Sequence, residues 1–231
     1  MSTLRWVAMA AGDSHWVRWH KPYDDVSSGL SRRLRVVQSM VRDALDDLSD
    51  TRPGPCRVVS LCAGQGRDVI DVLATRPRTP RVTALLVELD PALVAFARAR
   101  SMAAGVADVV RVVEGDAARC AWCADDVPAD LVLLCGIFGN VSMDDIVATI
   151  DAMRGFCAPG GHVVWTRHRR PPDATPAIRD EFARAGFTEL GFVAPADTVM
   201  TVGHHRFDGT PTPFDPDRIL FEFVGDGFAP V

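Results

Sequence analysis

The sequence has 231 residues, of which 48% are hydrophobic and 24% charged, a composition that favours one globular domain and excludes a disordered chain. The formal net charge of −5 argues against a nucleic-acid partner, because nucleic-acid binding usually needs a basic face. No apolar run approaches the roughly 18–20 residues of a membrane span, so we expect no membrane partner. The apolar stretch at 6–11 is shorter than the core of a signal peptide, so we expect a cytoplasmic protein. We expect it to be either a monomer or a homodimer.

One motif among the cysteines has the spacing of metal ligands, Cys120-Ala-Trp-Cys123, but a second such pair is missing. Three of the other cysteines, Cys56, Cys62 and Cys135, lie in or beside apolar runs, where free cysteine acts as a small hydrophobic residue. We therefore predict no metal site.

The first regular element is a helix that begins at Leu30, capped by Ser27 or Ser28, and ends at 51–55, a segment with two prolines. Strands and helices then alternate. Strands are predicted at 57–62, 82–89, 109–113, 130–135 and 162–166, followed by a closing pair at 187–193 and 199–207. Near-continuous apolar strands separated by helices indicate a parallel sheet covered on both faces. The link at 194–198 is too short for a helix, which predicts an antiparallel hairpin at one edge.

A glycine turn after the first strand, Gly64-Gln-Gly66, opens a helix, and Glu88 ends the second strand 22 positions later. This arrangement is typical of a unit that binds a nucleoside, with the backbone at the turn and a carboxylate for the ribose hydroxyls. A dinucleotide fingerprint would carry glycine or alanine where Val69 stands, which argues against NAD.

Three further motifs follow in order: Glu114-Gly-Asp116-Ala117 after the third strand, Cys135-Gly136 after the fourth, and Cys157-Ala-Pro-Gly-Gly161 before the fifth. With these five ordered motifs, residues 58–207 resemble a class I S-adenosylmethionine-dependent methyltransferase of a small bacterial type. The resemblance implies an α/β, Rossmann-like, doubly wound seven-stranded sheet, mostly parallel with an antiparallel edge hairpin. It also implies an N-terminal lid helix. We expect residues 1–50 to form the lid segment and helix and residues 51–231 to form the cofactor-binding domain, within one structural domain.

The same resemblance implies the cofactor S-adenosyl-L-methionine, the product S-adenosyl-L-homocysteine and a set of cofactor contacts. The residues in these positions are Tyr23, Cys62, Ala63, Gly64, Gly66, Glu88, Leu89, Asp116, Ala117, Cys135 and Gly136. Cys62 stands where the family often carries an acidic residue, so we expect main-chain carbonyls to replace that contact to the cofactor amine.

Methyl transfer to a hydroxyl or a protonated amine is helped by a general base, and histidine has a suitable pKa. His168, just past the fifth strand, and His20, in the lid, are the candidates. Arg167, with its neighbours Arg169 and Arg170, could clamp an anionic substrate. Trp19 and Asn140 are further candidate substrate contacts. The leading hypothesis is methylation of a small-molecule metabolite at oxygen, nitrogen or carbon. The alternatives are an NAD(P)-dependent oxidoreductase and a cofactor-binding protein without methyl transfer.

Overall fold

A computed structural model describes residues 15–52, 54–76 and 82–224, with residues 15–17 described by their backbone alone. The strands are β1 (Cys56–Leu61), β2 (Val82–Glu88), β3 (Val110–Glu114), β4 (Ala129–Leu134), β5 (Cys157–His168), β6 (Phe187–Val193) and β7 (Met200–Phe207). The helices are α1 (His15–His20), α2 (Gly29–Thr51), α3 (Arg67–Thr75), α4 (Pro91–Ala103), α5 (Met143–Phe156) and α6 (Thr175–Arg184). Short 3₁₀ helices cover Lys21–Asp24 and Cys120–Cys123. In the described residues, none of the helices is long and apolar enough to cross a membrane.

The seven strands form one sheet in the order β3-β2-β1-β4-β5-β7-β6. The first five are parallel to one another, whereas β7 runs antiparallel to both β5 and β6. The predicted fold class and edge hairpin are therefore confirmed. The strand order reverses direction between β1 and β4, and ligands of open α/β sheets bind beyond the carboxyl ends of the strands at such a point.

Two apolar cores lie on the two faces of the sheet. One core packs α2, α3 and α4 against side chains such as Val58, Leu86 and Leu131. The other packs α5 and α6 against side chains such as Val59 and Trp165. Successive residues of a strand point to opposite faces, so a strand apolar at nearly every position supplies both cores.

The ends of several elements differ from the sequence-based expectation. β5 begins at Cys157 and not at 162, because the Pro-Gly-Gly segment continues the strand past a register shift opposite Ala129 and Leu131. Residues 1–29 were expected to be irregular, but within the described part of this segment residues 15–24 form α1 and a 3₁₀ helix. Ser28 caps α2, since its side chain accepts a hydrogen bond from the Ser31 amide. The apolar run at 219–224 makes only isolated bridges, so it is a packed tail.

Candidate functional site at the carboxyl ends of β1, β2 and β4

The loop between β1 and α3 depends on its two glycines. Gly64 and Gly66 have φ values of 56° and 66°, a left-handed conformation that glycine adopts without steric cost. A Cβ on Gly66 would lie 2.7 Å from side-chain carbons of both Ile70 and Leu86. Both glycines therefore shape a tight turn whose backbone can approach a ligand closely.

Cys62 is the one non-glycine residue with positive φ in the described part of the chain, at 52°. Left-handed backbone costs a residue with a side chain about 1–2 kcal/mol, and such strain clusters at functional sites. Burial raises the pKa of the Cys62 thiol well above its usual value, and the carboxylates of Glu88 and Asp116 act in the same direction. The thiol is therefore neutral.

Glu88 links the loop between β1 and α3 to the start of α4 through hydrogen bonds. Its Oε2 accepts a hydrogen bond of 2.7 Å from the Gly64 amide, and its Oε1 accepts one of 2.9 Å from the Asp90 amide. Burial raises the pKa of Glu88, although the backbone hydrogen bonds oppose the shift. Each carboxylate oxygen keeps a second lone pair, so the side chain can still accept a bond from a ribose hydroxyl.

An exposed apolar surface lies beside Glu88 and Asp116. The Leu89 side chain is 58% exposed directly after β2, although it is large and apolar. Asp116 accepts a hydrogen bond from the Ala118 amide at 3.0 Å and keeps its other oxygen 3.5 Å from Nε of Arg119. Trp122 is 42% exposed, and its ring covers Gly115, where a Cβ would lie 2.5 Å from Cε2 of the ring. Trp122 was not predicted from the sequence, although an aromatic residue shortly after the Asp116 motif was a signal that could have indicated it.

The segment after β4 is held by side chains on both sides of Gly136. The Gly136 amide donates a 2.8 Å hydrogen bond to Oγ1 of Thr166, and its carbonyl accepts a 2.6 Å bond from Nδ2 of Asn140. Gly136 has φ 81° and nothing within 4 Å of the position of a Cβ, so open space adjoins it. Cys135, just before it, is half-buried. Thr166, on β5, is a second residue that sequence reasoning missed.

The N-terminal segment covers the loop. His20 is buried against Gly64, where a Cβ would lie 2.4 Å from Nε2 of the imidazole. The hydroxyl of Tyr23 accepts a 2.5 Å hydrogen bond from Arg33, and the guanidinium of Arg67 lies 5.6 Å from the Tyr23 ring centroid. Asp24, at the end of the 3₁₀ helix, pairs with Arg67 at 2.7 Å.

Trp19 belongs to the same cover, with the Arg33 guanidinium 5.7 Å from its ring centroid. The other aromatic residues of this segment that we expected to form a lid, Trp6 and the side chain of Trp16, lie outside the described residues.

His168 ends β5 next to the Gly136 segment. Its Nδ1 accepts a hydrogen bond of 3.3 Å from the Arg170 amide, and a Cβ on Gly139 would lie 3.4 Å from its Cδ2. Burial lowers the pKa of His168, and the nearby Arg167 and Arg170 lower it further. The imidazole is therefore neutral at pH 7, and Nε2 carries its proton while Nδ1 accepts from Arg170.

The arginines around His168 have structural partners. Arg167 donates a hydrogen bond to the Phe138 carbonyl, and Arg169 donates to the carbonyls of Pro195 and Thr198. Arg167 therefore fixes the segment after β4, and its Nε is buried without a partner among the described residues. Only Arg170 of the three is exposed.

His204 and His205 are adjacent on β7, so their side chains point to opposite faces of the sheet. Both are buried in the cores: His204 shares a 2.8 Å hydrogen bond with His162, and His205 accepts a 3.2 Å bond from Trp165.

No group of three or more histidine, cysteine or acidic side chains is placed to hold a metal ion in the ranges that the structure describes. Cys120 and Cys123 are buried free thiols. Burial raises the pKa of Cys120 to about 11 and that of Cys123 to about 12, which keeps both protonated.

Comparisons with known proteins agree with this geometry. Residues 58–161 match a family model described as a methyltransferase domain. No curated protein sequence matches the chain.

Among solved structures, an O-methyltransferase family protein from Burkholderia thailandensis aligns with a TM-score of 0.60 and 18% identity, over 85% of this chain and 64% of that one. The chain thus spans less than two thirds of that protein. A magnesium protoporphyrin IX methyltransferase from Synechocystis PCC 6803, with bound S-adenosylhomocysteine, aligns with a TM-score of 0.59 and 12% identity, over 82% of this chain and 92% of that one. An RNA methyltransferase from Salinibacter ruber, in complex with S-adenosylhomocysteine, aligns with a TM-score of 0.50 and 24% identity, over 78% and 96%.

The strand order and the glycine loop have the arrangement of the Rossmann-like methyltransferase fold. Within this fold, residues 58–161 are similar to a methyltransferase domain. An all-parallel dinucleotide fold would continue the order with β6 beside β5, whereas here the antiparallel β7 lies between them. The exposed Leu89 surface and the open space at Gly136 fit a ligand that carries an apolar base at one end and a reactive group at the other.

Proposed function

We propose that this protein transfers the methyl group of S-adenosylmethionine to a small-molecule metabolite in the bacterial cytoplasm, as a monomer or homodimer. One observation carries the small-molecule assignment: the N-terminal segment packs His20 and Tyr23 over the glycine loop. A site covered by the protein's own chain suits a compact acceptor better than a polymer. The net charge of −5 supports the same choice. We also propose that residues 1–50 act as the lid of a single domain completed by residues 51–231.

In this proposal Gly64 and Gly66 bring the loop backbone against the cofactor. Glu88 accepts hydrogen bonds from the ribose, and Leu89 packs on the adenine. The other cofactor contacts in this proposal come from Cys62, Ala63, Asp116, Ala117, Cys135, Gly136 and Tyr23. The cofactor supplies a methyl group already activated on a sulfonium, so the chain mainly aligns the acceptor and excludes water.

We propose that a histidine near the Gly136 segment removes or holds the acceptor proton. His168 is the first candidate, because it lies beside Gly139 at the carboxyl end of β5 and its lowered pKa keeps it neutral. In the arrangement described, Nε2 is a donor, so a base role requires the Arg170 contact to open and the ring to change tautomer. His20, over Gly64, is the second candidate. Arg167, Trp19 and Asn140 are proposed to line the acceptor pocket.

The proposal is tested with a panel of hydroxyl, amine and activated-carbon acceptors, with formation of S-adenosylhomocysteine as the readout. Turnover with a small acceptor supports it, and His168→Asn and His20→Asn then identify the base by loss of kcat and of the acidic limb of the pH profile. Binding of S-adenosylhomocysteine without turnover on any acceptor would favour the cofactor-binding alternative. A thermal shift with NAD(H) in place of S-adenosylhomocysteine would contradict the cofactor assignment.

A further inference from the structure

Four polar groups from four chain segments meet where the strand order reverses between β1 and β4. Asp68 lies in the first turn of α3, directly after the β1 loop, and Cys135 follows β4. Arg33 of α2 donates a hydrogen bond to the hydroxyl of Tyr23 in the lid segment. The start of α3 lies against both segments, because the guanidinium of Arg67, next to Asp68, is 5.6 Å from the Tyr23 ring centroid and Gln38 of α2 donates to the Arg67 carbonyl at 2.8 Å. In this arrangement Arg33 lowers the pKa of Asp68, while Asp68 and Cys135 raise the pKa of Tyr23.

The two full charges in this cluster are buried, since Arg33 and Asp68 are each 8% exposed. Within the described ranges, neither makes an ion pair with an opposite charge within 4.0 Å. Arg33 donates to the Tyr23 hydroxyl at 2.5 Å and lies over the Trp19 ring, whereas Asp68 accepts from the Val69 amide at 3.0 Å. Burial raises the pKa of the Asp68 carboxyl to about 6, with Arg33 acting against the shift.

Buried charges are normally paired or hydrogen-bonded to compensate for lost hydration. A cation and an anion that are buried close together without direct contact form a receptor for a ligand that carries both charges. An amino-acid zwitterion has an ammonium and a carboxylate on one carbon, so it would complete two ion pairs and leave the buried site neutral. The surrounding Tyr23 hydroxyl adds a donor for a carboxylate.

We propose that Asp68 binds the ammonium group and Arg33, with Tyr23, binds the carboxylate of the amino-acid end of the cofactor. This inference rests on the cofactor assignment made above. Cys62 stands where the family often carries an acidic residue, and in this proposal Asp68 provides that charge from the first turn of α3, in place of the main-chain carbonyls that the sequence led us to expect. The pair thereby selects the complete cofactor over nucleosides without the amino-acid end.

The test compares two ligands on the full-length protein by titration calorimetry. S-Adenosylhomocysteine carries the zwitterion, and 5′-methylthioadenosine carries the same nucleoside without it. In Asp68→Asn and Arg33→Met we expect the affinity for S-adenosylhomocysteine to fall about 10- to 100-fold, the usual effect of losing a hydrogen bond to a charged group. The affinity for 5′-methylthioadenosine should change less than about twofold, since uncharged contacts hold it.

Matched controls come from the same helices. Asp71→Asn removes a carboxylate one turn further along α3 that pairs with Arg100 at 2.7 Å, and Arg35→Met removes an exposed arginine of α2 bonded to the Val26 carbonyl. Both should leave the ratio of the two affinities unchanged. An equal loss for both ligands in Asp68→Asn and Arg33→Met, or no loss for either, would overturn the zwitterion site.

A ligand-side arm keeps the proposal falsifiable if either variant fails to fold. Wild-type protein is titrated with the decarboxylated and the deaminated forms of S-adenosylhomocysteine. Each should bind at least about tenfold more weakly than the parent. Binding of both within twofold of the parent would refute the proposal. Wild type that binds S-adenosylhomocysteine but transfers no methyl would sink the proposed function and leave this site standing, whereas failure to bind it at all would remove the cofactor assignment and this proposal together.

Discussion

Acid should destabilise this protein through two histidines buried in the sheet. Burial is the main cause that lowers the pKa of His204 and of His205 from 6.5 to about 4. The unfolded chain therefore takes up protons first as the pH falls. The stability that these neutral histidines contribute is fully present above pH 6.5 and is lost progressively toward pH 4. At pH 5, protonation stabilises the unfolded chain by about 2 kcal/mol per histidine, because each pH unit below 6.5 contributes about 1.36 kcal/mol.

Urea unfolding at pH 8 and pH 5 measures this loss as a change in the free energy of unfolding. The double variant His204→Gln with His205→Asn keeps a polar atom near each bonding position and removes both titrations. We expect it to lose about 4 kcal/mol less than wild type between the two pH values. Asp68, whose raised pKa gives an opposite contribution, is present in both proteins and cancels. Arg32→Gln, which removes an exposed ion pair with Asp197, is the control and should behave as wild type. An equal acid loss in the double variant and wild type would refute the reasoning.

Three further predictions concern the cofactor loop and its support. Cys62→Val should destabilise the protein by about 2 kcal/mol more than Cys62→Ala, because a β-branched side chain is strained at positive φ; denaturant midpoints measure the difference, and equal midpoints would contradict it. Gly66→Ala should cost about 2–4 kcal/mol, from left-handed strain together with the crowding of its Cβ. Gly105→Ala, at similar φ but in open space, should cost only the strain, and thermal unfolding of the pair separates the two terms. Thr166→Ala should lower kcat more than it raises KM, since the Gly136 amide loses its hydrogen-bond partner. Thr166→Ser should restore the rate. Activity of Thr166→Ala equal to that of wild type would exclude this positioning role.

The sequence alone was sufficient for the class of sheet and for the glycine loop that we propose binds the cofactor. A strand such as β4 is apolar at nearly every position, which only a sheet covered on both faces can satisfy. The glycine turn and Glu88 follow from local spacing, because a strand, a turn and a helix place their residues through the covalent chain. The edge hairpin followed from a link too short for a crossover helix.

Contacts between distant segments were decided only by the tertiary structure. The helix that begins at Leu30 follows from its apolar periodicity, but the place of Arg33 beside Tyr23 depends on how α2 packs on the sheet. The position of Asp68 near this pair depends on packing for the same reason. Arg167 was predicted to clamp a substrate, and only the structure shows that its guanidinium bonds the Phe138 carbonyl in the segment after β4. Periodicity reveals which face of an element is buried, since that depends on local geometry. The partner that meets that face is set by long-range packing, which one sequence does not encode in any short pattern.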